Sequence, residues 1–316
     1  MNRYLKEYKW TNIFAMIRNL KSDPAICLDD FSHQMVVITG ATSGIGYAAA
    51  GKYASHGADL LFINRNEKKS DELCESLRKE YGSNCDYILA DFSRLSDTHA
   101  AAKNLANLDR KIDVLIHNAG VYLTKKTFTQ DNIETVFQTN YLSTFILNYY
   151  LLEKFKKQTN GRILFVNSEA HRFAVSGIHM DDLSWKKRRY TGLKSYGAAK
   201  MAQLLSVLKL AAYYQGTGIT VNAMHPGNIR TNSGQNNDEI YKFFKRMVID
   251  RFAQPVDIAS EALYYLGVSA ELEKKSGKFF NLTTEEEPAP PALDRVAADE
   301  LWEISLHIGG FHEHEE

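Results

Sequence analysis

Tyr196 and Lys200 stand four residues apart in Tyr196-Gly-Ala-Ala-Lys200, a run of small residues that leads into the apolar stretch Met201 to Leu210. That context predicts the opening turns of a helix, and the spacing puts both side chains on one face. An ammonium beside a phenol favours the phenolate. The phenol can then trade a proton nearer neutral pH than its free pKa of about 10 permits. The same spacing also occurs on surface helices, where the pair does no chemistry. The rest of the chain decides between the two.

The 316 residues carry 38 Lys plus Arg against 38 Asp plus Glu. No global basic field is present to attract nucleic acid. No run reaches the ~18 apolar residues of a membrane span, and charges interrupt the N-terminal stretch, so it does not read as a secretory signal. Cys27, Cys74 and Cys85 have neither metal nor redox spacing. A sparse, odd count fits a reducing compartment, and the expectation is a cytoplasmic protein without a metal site. Residues 3–21 carry Arg3, Lys6, Lys9, Arg18 and Lys21 against the single acid Glu7. Trp10, Ile13, Phe14, Met16, Ile17 and Leu20 make an apolar stripe there. The first reading is a helix docked on its own domain or on a partner subunit. The second is a peripheral contact with an anionic membrane.

Met35-Val-Val-Ile-Thr39 predicts a buried strand. Gly40-Ala-Thr-Ser43-Gly44-Ile45-Gly46 follows at once, then a helical pattern through Tyr53 and Ala54. Strand, glycine-rich turn and helix make a phosphate cradle, because the backbone can approach closely and the helix N-terminus presents free N–H groups. Ala58 to Ile63 is a second strand. An acid at its end would hold the ribose 2′-hydroxyl of NAD, and an arginine accommodates the 2′-phosphate of NADP. This chain has Asn64-Arg65 there, which favours NADP(H) over NAD(H); the alternative is a solvated loop cation. A charged helix over Asn66–Tyr81 leads to a third strand, Cys85–Ala90, that ends in Asp91-Phe92-Ser93. Asp91 either contacts an adenine edge or caps the next helix. A helix to about Asn107 precedes the fourth strand, Ile112–His117, and the small-residue turn Asn118-Ala119-Gly120. This alternation means an α/β, doubly wound parallel sheet, with ligands at the carboxyl ends of its strands.

Gln130 to about Lys157 reads as one or two long helices, with Asn140 set among Phe137, Tyr141, Leu142 and Phe145. A polar residue there is either hydrogen-bonded core or functional. The fifth strand, Arg162–Asn167, ends in Ser168, whose hydroxyl would face the ligand crevice. Residues 169–194 form a polar connection. His171 in it has no carboxylate nearby in sequence and reads as structural or substrate-lining rather than as a base. Lys186-Lys-Arg-Arg189 reads as a solvated run. Ile219–Met224 is the sixth strand, followed by His225-Pro226-Gly227. Residues 232–252, with Tyr241, Phe243, Phe244 and Phe252, predict a lid. A helix over Pro255–Leu266, a seventh strand over Gly277–Asn281, an acidic proline-rich linker over Glu285–Pro291 and a helix from about Asp294 to His307 complete the chain. The expected organisation is a helical extension over 1–34, one catalytic domain over 35–283 and a C-terminal extension over 284–316.

The order Thr39-Gly-x-x-x-Gly-x-Gly46, Asn118-Ala-Gly120, Asn140, Ser168, Tyr196-x-x-x-Lys200 and Pro226-Gly227 resembles the short-chain dehydrogenase/reductase family over roughly residues 35–281. The long connection containing Asn167-Ser-Glu-Ala-His171-Arg and Met180-Asp-Asp-Leu-Ser-Trp185, with His225-Pro-Gly227 and Leu301-Trp-Glu-Ile-Ser305, looks like the retinol dehydrogenase-like branch. Membrane-bound members of that branch have a hydrophobic N-terminal anchor, whereas this chain has a charge-interrupted stretch. The resemblance implies a Rossmann fold, here with seven parallel strands. It also implies that Gly40, Ser43, Gly44, Ile45 and Gly46 hold the pyrophosphate and nearby ribose, Arg65 the 2′-phosphate, and Asp91 and Phe92 the adenine. Asn118, Ala119 and Gly120 would pass the adenosine ribose. Tyr196 and Lys200 would bind the nicotinamide ribose, with Pro226, Ile229 and Thr231 around the nicotinamide. Ser168 and Tyr196 would act on a carbonyl, and Asn140 would hold a water that reconnects Lys200 to solvent.

The expected function is an NADP(H)-dependent oxidoreductase for an alcohol and its carbonyl. The lid aromatics with Phe173, Val175 and Ile178 favour a lipophilic substrate: a steroid, retinoid or long-chain carbonyl. The rival is a catalytically silent dinucleotide sensor or scaffold, which would be expected to lose Tyr196, Lys200 or Ser168. Family members often pair as homodimers through the helices that would be 131–157 and 195–215 here. The terminal helices offer the alternative of covering those surfaces.

Overall fold

The five residues of β1, Met35–Thr39, are all buried. Successive side chains leave a strand on opposite faces. Val36 and Ile38 enter one hydrophobic core, and Met35 and Val37 the other. A strand apolar on both faces needs a covered sheet, which parallel βα architecture supplies. The computed structural model describes residues 3–8, 23–227, 229 and 254–311. The predicted lid over 232–252 and the apolar stripe from Trp10 to Leu20 lie outside them.

The sheet adds β2 (Asp59–Asn64), β3 (Cys85–Leu89), β4 (Val114–His117), β5 (Gly161–Val166), β6 (Ile219–His225), β7 (Phe279–Asn281) and β8 (Thr284–Glu286) in the order β3-β2-β1-β4-β5-β6-β7-β8. β1 to β7 run parallel, and β8 is antiparallel to β7. The order reverses between β1 and β4, and that switch point opens a crevice at the carboxyl ends. One face carries α1 (Gly44–Ala54), α2 (Glu67–Tyr81) and α6 (Asp257–Val268); the other carries α3 (Leu95–Ala106), α4 (Ser143–Lys156) and α5 (Gly192–Tyr213). Local chemistry sets the boundaries. Asn66 caps α2 by accepting from the Lys69 N–H, and Gly82 ends it in the left-handed conformation.

The eighth strand corrects the expectation of seven. Thr284–Glu286 falls at the start of the stretch read as a linker. It folds back on β7 through the two-residue turn Leu282-Thr283, with Asn281 opposite Thr284. Tight hairpins favour positive φ at the turn, normally from Asn or Gly. Here Leu282 adopts φ 53°, so the usual sequence signal is missing.

Both ends of the described chain dock on the domain. Tyr4 is buried and donates to Asp294 Oδ2 at 2.8 Å, and Arg3 ion-pairs with the same carboxylate. Asp294 also caps α7 (Arg295–Ile308) through the Ala297 N–H. α7 lies across α4 and α5: Trp302 meets Phe145 edge-on at 4.9 Å, and Ser305 shares a hydrogen bond of 2.7 Å with the Tyr141 hydroxyl. The terminal helix thus covers part of the outer surface of α4 and α5. Among the described residues no helix is long and apolar enough to cross a membrane.

Leu301 on α7 is 1% exposed within the main core. Replacing it with alanine should cost about 3 kcal/mol, read as a lower urea midpoint. An unchanged midpoint would mean that α7 is not part of the cooperative core.

Candidate active site

The carboxyl ends of β1 to β6 deliver their following residues to one cleft of about 610 Å³. Gly40, Ser43, Gly44, Ile45, Arg65, Asp91, Phe92, Asn118, Ala119, Gly120, Ser168, Tyr196, Lys200, Pro226 and Ile229 all line it. Asn140 and Gly46 stand behind its wall, and both are buried. Thr231 lies outside the described residues.

At one end the glycine-rich turn enters α1. Ser43, the N-cap residue, makes no side-chain cap bond. The first N–H groups of α1 are therefore available to an anion in the cleft. The turn is held from behind. Asn118 Nδ2 donates to the carbonyls of Thr39 (3.0 Å) and Gly40 (2.9 Å), and Thr39 Oγ1 accepts from the Asn118 and Ala119 N–H groups. A Cβ on Gly46 would stand 2.5 Å from Asn118 Nδ2 and from the Gly40 carbonyl. That glycine is required by close approach.

Asn64, read in the sequence only as a missing acid, points inward. Its Oδ1 accepts from the Ala41 N–H at 2.8 Å and its Nδ2 donates to Ser70. It braces the glycine-rich turn against α2 and leaves the exposed Arg65 at the lip. Lys69, in the first turn of α2, also lines this end and adds a second cation that sequence reading passed over. Asp91 lines the cleft, and its Oδ1 accepts from the Ser93 N–H and hydroxyl, closing the turn; the N-cap position of α3 falls to Arg94, so Asp91 is not the helix cap.

At the other end sit Ser168, Tyr196 and Lys200. Ser168 follows β5 and opens a short 3₁₀ turn, Glu169–Phe173. Its Oγ accepts from the Ala170 N–H at 3.1 Å, which leaves the hydroxyl proton to donate elsewhere. His171 is buried and structural: Nδ1 donates to the Ser168 carbonyl and Nε2 accepts from the Ala289 N–H. Burial pushes its pKa down to about 3, so it stays neutral and ties the serine loop to the stretch after β8. Arg172 adds ion pairs to Glu169 and Glu286.

α5 starts at Gly192, capped by Thr191, so Tyr196 falls in its second turn. Gly197 allows the helix to touch the serine loop, since a Cβ there would lie 2.6 Å from the Ala170 carbonyl oxygen. Tyr122 packs edge-on against Tyr196 with ring centroids 5.6 Å apart. Lys200 is 3% exposed, and its ammonium is 5.5 Å from the Tyr196 ring centroid. Nζ donates to the Val166 carbonyl at 2.7 Å and to Gln203 Oε1 at 3.1 Å. Among the described residues no carboxylate pairs with it. Burial lowers its pKa from 10.5 to about 7.

Asn140 lies in a π-turn, Gln138–Leu142, ahead of α4. Such turns insert one residue into a helix and recur at functional sites. Its side chain clamps Val121 twice, accepting from the N–H at 2.7 Å and donating to the carbonyl at 2.9 Å. Its main-chain carbonyl accepts from Gln203 Nε2 at 2.6 Å. Gln203 was not singled out in the sequence. The available signal was a polar residue within the apolar run Met201–Leu210, three after Lys200.

A family model described as short chain dehydrogenase matches residues 34–180. Retinol dehydrogenase 13 of Homo sapiens is 32% identical, over 87% of this chain and 84% of its own. Retinol dehydrogenase 14 of Mus musculus is also 32% identical, over 85% of this chain and 84% of its own. A crystal structure of a short chain dehydrogenase from Burkholderia cenocepacia in complex with NADP aligns with a TM-score of 0.63 at 19% identity, over 83% of this chain and 99% of that one. At that identity the likeness is one of fold.

The Gly197 contact predicts a separable defect. Gly197→Ala must push α5 away from Ala170 and so widen the spacing between Ser168 and Tyr196. Turnover should fall roughly a hundredfold, as displacements near 1 Å do, while dinucleotide binding, followed by fluorescence titration, stays within a few-fold. Full turnover in this variant would mean that the contact does not set the geometry.

Proposed function

This chain belongs to the short-chain dehydrogenase/reductase family, in its retinol dehydrogenase-like branch, and we propose that it is an NADP(H)-dependent oxidoreductase interconverting an alcohol and a carbonyl on a lipophilic substrate. The observation that carries the reading is the Lys200 ammonium: it is buried without a carboxylate among the described residues and set beside the Tyr196 ring. A core position gives no reason to keep such a charge; a site where negative charge develops on a neighbouring oxygen does.

The residues present fit a phosphate-bearing dinucleotide. The uncapped N-terminus of α1 suits a pyrophosphate. Arg65 and Lys69, with no acid at Asn64, suit a 2′-phosphate. Phe92 and Asp91 suit the adenine, and the end of the cleft near Pro226 and Ile229 suits the nicotinamide. When bound, the nicotinamide supplies or accepts the hydride.

The chain's own side chains do the rest. Ser168 and Tyr196 donate hydrogen bonds to the substrate oxygen and stabilise the charge it gains in reduction. Tyr196 then delivers its proton to that oxygen. Lys200 holds the negative charge left on the phenol oxygen. Alcohol oxidation runs the same steps in reverse. Exposed Phe173 and Val175 on the serine loop present apolar surface and support a lipophilic substrate. Three buried free thiols support a reducing compartment such as the cytoplasm.

The test is a panel of steroid, retinoid and aliphatic carbonyls with NADPH and with NADH, followed by loss of reduced-nicotinamide absorbance. At least one lipophilic carbonyl should turn over with NADPH preferred. Arg65→Ala should erode that preference roughly 10–100-fold, the worth of one or two charge-assisted hydrogen bonds. An equal preference in both proteins sinks the 2′-phosphate assignment, and no turnover on any class sinks the activity.

A further inference from the structure

Gln203 is fully buried, one turn beyond Lys200 on the same face of α5. Its amide meets three partners. Nε2 donates to the Asn140 carbonyl at 2.6 Å. Oε1 accepts from Lys200 Nζ at 3.1 Å and from Asn167 Nδ2 at 3.0 Å. The orientation is fixed by the partners, since a carbonyl faces one end and two donors face the other. Asn167 carries the connection on: its Nδ2 also donates to the Lys200 carbonyl and its Oδ1 accepts from the Ser168 N–H at 2.8 Å. One side chain therefore joins the π-turn, the lysine and the serine. The Gln203 amide thereby links Asn140 and Lys200 directly.

We propose that Gln203 is a positioning residue of this site, clamping the Lys200 ammonium to the Asn140 carbonyl and, through Asn167, to the backbone of Ser168. The assignment rests on the reductase reading for its purpose and on the hydrogen bonds for its geometry. An ammonium has three N–H donors. Val166 and Gln203 take two of them in fixed directions. The remaining one is left for the side on which Tyr196 and the cleft lie.

A neutral amide acceptor supports the charged lysine without supplying an opposing charge. This matters because the lysine is lowered to about 7 by burial alone. The titratable groups sharing the cleft are Tyr122, Tyr196 and His225 at this end and Arg65, Lys69 and Asp91 at the other. Among the described residues none of them ion-pairs with Lys200. The acceptor offered by Gln203 is therefore the adjustable control on its protonation.

Two variants push in opposite directions. Gln203→Leu removes the acceptor from the ammonium, whereas Gln203→Glu puts a carboxylate in its place. The Lys200 side-chain resonance, observed in protein with isotope-labelled lysine and assigned with Lys200→Arg, gives the titration midpoint directly. It should fall by about one pH unit in the leucine variant and rise by about as much in the glutamate variant. In the leucine variant the acid limb of kcat for alcohol oxidation should move upward, because a neutral lysine no longer favours the phenolate. Dinucleotide binding, measured in parallel, reports the folded fraction. A merely structural glutamine would lower that fraction in both variants and leave midpoint and limb in place, and this result overturns the proposal. The titration needs no turnover. A wild-type protein inactive on every carbonyl would therefore refute the reductase reading by itself, while the midpoints still decide whether Gln203 controls Lys200.

Discussion

Lys200 is a cation kept out of water with no anion to meet it among the described residues. Moving an ammonium into a protein interior costs several kcal/mol even after relaxation. Neutral dipoles offset part of that cost here: the Val166 carbonyl, the Gln203 amide and the face of the Tyr196 ring. Each of these has to be held still. Val166 is the last residue of β5, deep in the sheet, and Gln203 is fixed by the Asn140 carbonyl and Asn167. The π-turn, the end of β5 and the second turn of α5 are thus fastened around a single charge.

The same constraint orders the surroundings. Gly197 brings α5 against the serine loop, and His171 with Arg172 ties that loop to the strand and turn at the C-terminal edge of the sheet. β8 and the stretch after it therefore act as the outer anchor of Ser168. At the opposite end Asn118 and Asn64 hold the glycine-rich turn open toward the cleft. Most of the polar side chains around the site bond to backbone. They set the positions of a few groups, and those few are left to meet a ligand.

Much of this was legible in the sequence, and the exceptions have physical causes. The seven parallel strands follow from short apolar runs alternating with helical patterns, and each was located to within a residue or two at most ends. β8 escaped because Leu282 adopts a conformation that turns usually assign to Asn or Gly. The π-turn escaped because one inserted residue does not disturb an apolar helical pattern enough to be seen. His171 read as structural or substrate-lining, and the partner that fixes its second ring nitrogen lies 118 residues away at Ala289. Gln203 looked like an ordinary helical residue because its partners, Asn140 and Asn167, come from other elements. Asn64 was noticed for the acid it is not, and its inward bond to Ala41 became visible only in the fold.

The central claim is that Tyr196, supported by Lys200, moves the proton. Tyr196→Phe removes one hydroxyl and leaves the ring against Tyr122. Measured side by side with the wild type, NADPH binding should remain within a few-fold while carbonyl reduction falls by at least about a thousandfold, the scale of a lost general acid. If binding and turnover both survive in the phenylalanine protein, the tyrosine is not the acid and the account of this site is wrong.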